Sequence, residues 1–260
     1  MILYILREIK RGALRKYTGV YLLGFLALCI IGNLAMAAFR SIYGMNDGSY
    51  TYNLITFAQG AFILPYYSCI ALADIIFGKE YPDPYLKDGV TRKLHRYQLY
   101  LGKLIAAVIL SIGIFVIAFG MLLIVTSLFG IGYGSIDMLT IMDFLNKSTL
   151  ALPLWIAGIS IGQMCLYLFP GRKKRAVLLF AILVVVIPRF IMLLASEAIG
   201  IAFFVRLTDF IITPQFQALQ FLFTMNRGRC CILGLVYTIL SSAVGIWALY
   251  RYERKQMDEQ

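Results

Sequence analysis

Long apolar stretches, each near the length of a bilayer crossing and separated by short polar or charged segments, set the plan of this chain. They run approximately from Thr18 to Phe39, Leu54 to Phe77, Leu104 to Phe129, Leu150 to Phe169, Ala176 to Gly200 and Cys230 to Tyr250. A hydrocarbon layer ~30 Å thick offers the backbone no hydrogen-bond partner, so a crossing takes about 20 mainly apolar residues wound into a helix. The pattern predicts six transmembrane helices in an all-α integral membrane protein, a single transmembrane domain over residues 1–260. Within residues 1–17, Ile2, Ile5, Leu6, Ile9 and Ala13 recur at helical spacing while Arg7, Glu8, Arg11 and Arg15 take the opposite face. That spacing predicts an amphipathic helix lying in the membrane interface. Between residues 201 and 229 the apolar runs Ile201 to Val205, Phe210 to Thr213 and Phe216 to Met225 are each too short to cross, and Arg206, Asp209 and Pro214 separate them. Short re-entrant or interfacial helices on the outer side are expected there. Gly130 to Thr149 reads as an outer loop, glycine-rich and then polar.

Composition agrees with this plan. The chain is 61% hydrophobic and 14% charged, whereas soluble domains hold roughly 45–50% apolar and about 25% charged residues. The net charge of +11 changes the picture only through its placement. Arg7, Lys10, Arg11, Arg15 and Lys16 precede the first span, and Lys79, Lys87, Arg92, Lys93, Arg96 and Lys103 lie between the second and third. Arg172, Lys173, Lys174 and Arg175 join the fourth and fifth, and Arg251, Arg254 and Lys255 follow the sixth. Arg40, Lys147, Arg206, Arg227 and Arg229 fall in the opposite loops. By the positive-inside rule both termini are cytoplasmic, and the basic excess is a topology signal rather than a nucleic-acid footprint. Ala35-Met36-Ala37 resembles a signal-peptidase site, but the apolar run before it is too long for a signal peptide, so the first span reads as an uncleaved anchor. Cys29, Cys69, Cys165, Cys230 and Cys231 lie within or at the end of spans without metal-type spacing and read as structural thiols.

Catalytic chemistry finds no foothold in the sequence. His95 is the one histidine, and there is no Walker A loop, HExxH helix, GxSxG elbow or pair of carboxylates at helical spacing inside a span. No catalytic residue, metal set or cofactor of its own is expected of the chain. Charges inside spans are costly and are candidates for function. Asp74, three residues before Phe77, is placed to pair with Lys79 or another loop cation. Arg189 follows Pro188 near the middle of the fifth span, where proline frees a backbone carbonyl, and Glu197 lies about two turns on. Those two form either a structural polar cluster or a contact along a solute pathway. Gly158 and Gly162 make a GxxxG pattern suited to close helix approach, within the chain or across a dimer seam.

The most punctuated segment runs from Phe77 to Lys103, with 78–103 forming a cytoplasmic loop. Asp83 reads as an N-cap with Pro84 at the first helical position, and Gly89 sits where a helix stops, giving a short helix about Pro84 to Asp88 that carries Tyr85. Beyond it Val90, Leu94, Tyr97 and Leu101 share one face while Arg92, Arg96 and Lys103 share another, so a second helix is expected to lead into the third span.

Phe77, Glu80, Gly89, Arg92, Lys93, Arg96 and Lys103 resemble the aromatic, glutamate, glycine-threonine-basic, arginine and lysine run between spans two and three of the permease subunits of type 2 ABC transporters. The topology is similar along the whole chain, and the insertion Tyr81-Pro82-Asp83-Pro84-Tyr85 departs from the usual pattern. The resemblance implies a permease dimer, of two copies or of a copy and a sister permease, each seated on a separate cytoplasmic ABC ATPase that binds ATP and Mg. Glu80, Asp83, Tyr85, Asp88, Gly89, Arg92, Lys93 and Arg96 would form the coupling interface, and the basic face of the amphipathic helix, Arg7, Arg11 and Arg15, would face headgroups or brace the partner. It implies the bacterial cytoplasmic membrane as location. Exporters of bacteriocins, lantibiotics and phenol-soluble-modulin-like peptides are similar in size and lack of extra domains, which makes an amphipathic peptide the expected cargo. Efflux of a small ion or drug is the rival within transport. An intramembrane enzyme lacks a nucleophile or acid–base pair, and an ATP-independent scaffold or immunity protein leaves the punctuated loop unexplained.

Overall fold

The computed structural model describes residues 1–43, 49–60, 62–77, 95–129, 138–196, 201–219 and 227–258, and every regular element among them is helical. Five helical segments are each long and apolar enough to cross a bilayer: Lys16–Tyr43, Tyr97–Phe129, Met138–Leu168, Lys173–Ala195 and Gly228–Arg251. A sixth crossing results if the bent pair Tyr52–Tyr67 and Cys69–Phe77 is one span. The chain is a multi-pass membrane protein. Arg15, Lys103 and Lys173 gather at one end of the bundle, called here the basic end.

α1 (Ile2–Ala13) packs on α5 (Cys69–Phe77) and α6 (Arg96–Phe129). Its docked stripe is Tyr4, Glu8 and Gly12, spaced one helical turn apart. The Tyr4 ring covers Gly102 so closely that a Cβ there would meet it at 2.9 Å. Glu8, expected on the charged outer face, is instead 4% exposed. The helix therefore has three faces, because Ile2 and Leu6 remain exposed on an apolar side and Arg7 and Lys10, with Leu3 between them, on a basic one.

After α2 (Lys16–Tyr43), the expected single span from Leu54 to Phe77 is broken into α3 (Ser49–Gly60), α4 (Ile63–Tyr67) and α5, with a bend of 45°. Pro65 supplies no N–H to the carbonyl four residues before it, so the helical ladder cannot run through. Side chains brace the carbonyls around the break. Trp155 Nε1 donates to Phe62 O at 3.0 Å, and Ser68 Oγ donates to Pro65 O at 2.9 Å.

α7 (Met138–Leu168) is the buried centre of the bundle. It starts twelve residues ahead of the expected Leu150, because Phe144, Lys147 and Ser148 are buried against protein and extend the helix through part of the segment read as a loop. Gly158 and Gly162 receive the broken segment: a Cβ on Gly158 would lie 2.8 Å from Cys69 Sγ, and one on Gly162 would lie 3.0 Å from Ile70 Cα. The GxxxG pattern thus serves a seam within the chain. On the other side α12 (Arg227–Asp258) lies along α7 so tightly that a Cβ on Gly234 would stand 2.6 Å from Pro153 O.

The Lys173–Ala195 span is not a uniform α-helix. α8 (Lys173–Ala181) passes into a π-helical turn, Ile182–Val186, and then α9 (Ile187–Ala195). α10 (Ala202–Thr208) and α11 (Ile212–Ala218) follow, both too short to cross. Pro214 was expected to separate two apolar runs, yet it lies inside α11. A proline in a helix's first turn is tolerated because the N–H it lacks has no partner in that turn.

Candidate functional site

The last turn of α5, which leads directly into residues 78–94, is held from four sides. Lys173, the first residue of α8, places Nζ 2.7 and 2.9 Å from the two carboxylate oxygens of Asp74. Arg15, between α1 and α2, donates its guanidinium to the carbonyl of Ile75. Open carbonyls at a helix C-terminus attract cations, since the helix dipole puts negative charge there. Lys103 of α6 sets Nζ 5.0 Å from the centroid of the Phe77 ring, a cation–π distance. Tyr167 of α7 meets the same ring edge to face at 4.6 Å. Thr18 Oγ1, which donates to Gly12 O at 2.7 Å, ties the first long helix to α1. Any pull on the chain beyond Phe77 reaches α2, α6, α7 and α8 through these contacts.

Above this joint lies a cavity of about 1060 Å³ bounded by α2, the broken α3–α5 segment, α6 and α7. Its α2 wall runs from Val20 to Phe39, roughly 28 Å of helix at 1.5 Å per residue, close to the ~30 Å of a hydrocarbon layer. Phe25, Phe57, Phe115 and Trp155 give it an aromatic lining, and Gly24 and Gly32 leave open space along α2. Its few polar groups are small: Tyr21 OH lies 2.8 Å from Ser68 Oγ, and Asn33 donates to Cys29 O at 2.9 Å. Such a surface fits the apolar face of an amphipathic chain better than a hydrated ion.

At the end opposite the joint, a buried polar cluster joins α3 to α7. Lys147 Nζ lies 2.8 Å from Asp143 Oδ2 and donates to Gln59 Oε1 at 2.7 Å, and Gln59 Nε2 donates to Asp143 Oδ2 at 2.8 Å. Each of the three thus touches the other two. A second polar seam runs between α7 and α12, where Ser241 Oγ is 2.7 Å and Ser242 Oγ 3.2 Å from Ser160 Oγ. Gln163 of α7 extends it to α6, donating to Tyr100 O at 3.0 Å.

The residues singled out in the sequence fall in different places. Asp74 has its cation, supplied by Lys173 rather than Lys79, which lies outside the described residues. Glu80, Asp83, Tyr85, Asp88, Gly89, Arg92 and Lys93 also lie outside them, as does Glu197; Arg96 opens α6. Arg7 is exposed, Arg11 stands 3.6 Å from Glu8, and Arg15 belongs to the joint. Arg189 is exposed on α9 and is not brought near Asp74. Lys147, read as an outer-loop cation, is buried. Its cluster had one visible signal, the i, i+4 spacing of Asp143 and Lys147; nothing in the sequence pointed to Gln59. All five cysteines are free thiols, four buried and Cys231 exposed. Comparison with protein-family models and with curated proteins finds no match to this chain.

Proposed function

We propose that this chain is the membrane permease subunit of an ATP-driven ABC exporter, coupled through residues 78–103 to a separate cytoplasmic ATPase. The observation that carries the reading is the joint at the end of α5, where the chain entering that loop is fixed to α2, α6, α7 and α8. A loop pushed by a partner needs a stiff attachment at its base, and this base has one. In this reading the α3–α5 segment is one broken span, six spans cross the bacterial plasma membrane, and the basic end with both termini is cytoplasmic. The permease works as a dimer with a second copy or a sister subunit, and ATP and Mg are bound by the partner ATPase. Catalysis is absent from this chain, whose part is to change shape.

The apolar cavity favours an amphipathic peptide as cargo over a small ion, because a bare or hydrated ion finds almost no coordinating atoms on that lining. The test is co-purification of the chain with ABC ATPase subunits from its own cells, followed by ATP hydrolysis with and without amphipathic peptide. The native pair is expected to associate and to respond to peptide, and charge reversal of Arg92 and Arg96 to abolish both. No association after gentle solubilisation, with Arg92→Glu and Arg96→Glu leaving function intact, sinks the exporter reading and leaves the ATP-independent scaffold. ATP hydrolysis raised by a small cation or drug but not by peptide replaces the cargo assignment.

A further inference from the structure

The two discontinuities in the spanning helices, the break around α4 and the π turn at Ile182–Val186, are far apart in sequence but share one neighbour, α11. Four of its residues, Ile212, Thr213, Gln215 and Phe216, are buried, three of them (Ile212, Thr213 and Phe216) at 2% exposed. On one side the Phe216 ring lies 5.2 Å from that of Tyr66 in α4. On another, Thr213 Oγ1 donates to Val184 O at 3.4 Å. Just ahead of α11, Tyr237 of α12 donates its hydroxyl to Phe210 O at 2.9 Å, which holds the helix from the third side.

The acceptor on Val184 is specific. In an α-helix the carbonyl of Val184 takes the N–H of residue 188, and residue 188 is proline, which has none. The helix yields there by a π turn, a local widening typical of strained or working sites. In lipid a carbonyl that has lost its α-helical partner needs another donor, and nearby Ser or Thr side chains and local π adjustments are known means of meeting it. Thr213 provides that donor from a different element.

We propose that Thr213 is a positioning residue: its hydroxyl fixes the bend at Pro188 and, through Phe216 against Tyr66, α11 couples that bend to the broken α3–α5 segment. Displacement of one irregular helix is then passed to the other near the middle of the bundle, at the level where Tyr66 packs on Gly158. The inference depends on neither the cargo nor the ATPase.

Hydrogen–deuterium exchange of the full chain in lipid nanodiscs, read by mass spectrometry on peptides covering residues 178–195 and 62–68, tests it. Thr213→Val keeps the shape and removes the donor, and is expected to speed exchange at both peptides by about threefold, the usual effect of one buried hydrogen bond in a membrane protein. Thr213→Ser keeps the donor and is expected to exchange at the native rate. In the Pro188→Ala background the alanine N–H meets Val184, so Thr213→Val is expected to add nothing. Native exchange in Thr213→Val overturns the proposal, as does equal acceleration in the Ser and Val variants or in the two residue-188 backgrounds. Acceleration confined to 178–195 removes the coupling to α4. If Pro188→Ala does not fold, the contrast between the Ser and Val variants decides alone.

Discussion

Lys147 and Asp143 form an ion pair whose two halves are unequally buried, with side chains 7% and 36% exposed respectively. Removing either partner is therefore not equivalent. Asp143→Leu leaves the Lys147 ammonium enclosed, with Gln59 Oε1 as its one remaining partner in the cluster. Stranding a buried charge costs about 3–5 kcal/mol, and the lower end applies because Asp143 is a third exposed and its partner's charge is partly screened. Lys147→Met leaves a carboxylate that still accepts from Gln59 Nε2 at 2.8 Å and reaches the polar surface. Its cost is expected to be about 1 kcal/mol, near that of one hydrogen bond. The double substitution should be less destabilising than Asp143→Leu alone, because no charge is left behind.

The assay is SDS-titrated unfolding of the purified chain in mixed micelles, followed by tryptophan fluorescence. Only two tryptophans are present, and Trp155 packs on Phe62, whose ring also meets Phe144 one residue from Asp143. Its emission therefore reports this region. An order in which Lys147→Met is as costly as Asp143→Leu, or a double variant whose loss equals the sum of the two, would refute the reasoning. Either result means that burial does not govern the pair.

Three further outcomes follow from the joint, the seam and the cavity. Asp74 and Lys173 are 31% and 53% exposed, so Asp74→Asn should cost under about 1 kcal/mol in stability while sharply lowering peptide-stimulated ATP hydrolysis; the swap Asp74→Lys with Lys173→Asp should restore it, and an unchanged response in the single variant counts against the joint as a relay. Gly162→Leu should prevent stable folding, since even a Cβ there meets Ile70 backbone at 3.0 Å, and native-like size-exclusion behaviour of that variant would contradict the seam. Gly32→Leu places the same side chain in open space on the cavity wall; unfolding measurements should show equal or higher stability, by up to about 1 kcal/mol from helix propensity, with peptide transport reduced, and undiminished transport would show that cargo does not use the cavity.

Hydropathy makes the long helices visible because lipid demands an apolar run of fixed length whatever the tertiary fold. The break at Pro65 and the π turn before Pro188 are half legible: proline announces a missing donor, but which side chains brace the backbone around it depends on packing. The near ends of those contacts carry marks, as with Asp74 and Pro188. The far ends, Lys173, Trp155 and Thr213, lie 99, 93 and 29 residues from their partners, and no local spacing connects them. Glu8 shows a related limit. Amphipathic spacing separates apolar from charged residues on α1, but it cannot tell a face that docks on protein from one that faces headgroups.

The most buried of the long helices is also the least apolar, and this explains the largest departure from the hydropathy pattern. α7 is the most buried of the spanning helices and the least apolar, while Tyr97–Phe129 and Lys173–Ala195 are more apolar and far more exposed. In water the apolar helix is hidden; in a bilayer the exposed helix must be apolar, and a helix surrounded by protein is free to carry Lys147, Ser148, Ser160 and Gln163. Lys147 and Ser148, with Asp143 and Asn146, weaken α7's hydropathy in its first half, so the apolar pattern starts the span at Leu150 and its first turns read as an outer loop. Lys147, Gln163 and Ser160 supply the contacts that bind α7 to α3, α6 and α12 respectively. In this chain a polar interruption near a span is thus a better marker of the bundle's centre than of its edge, and the weakest apolar run locates the helix around which the others pack.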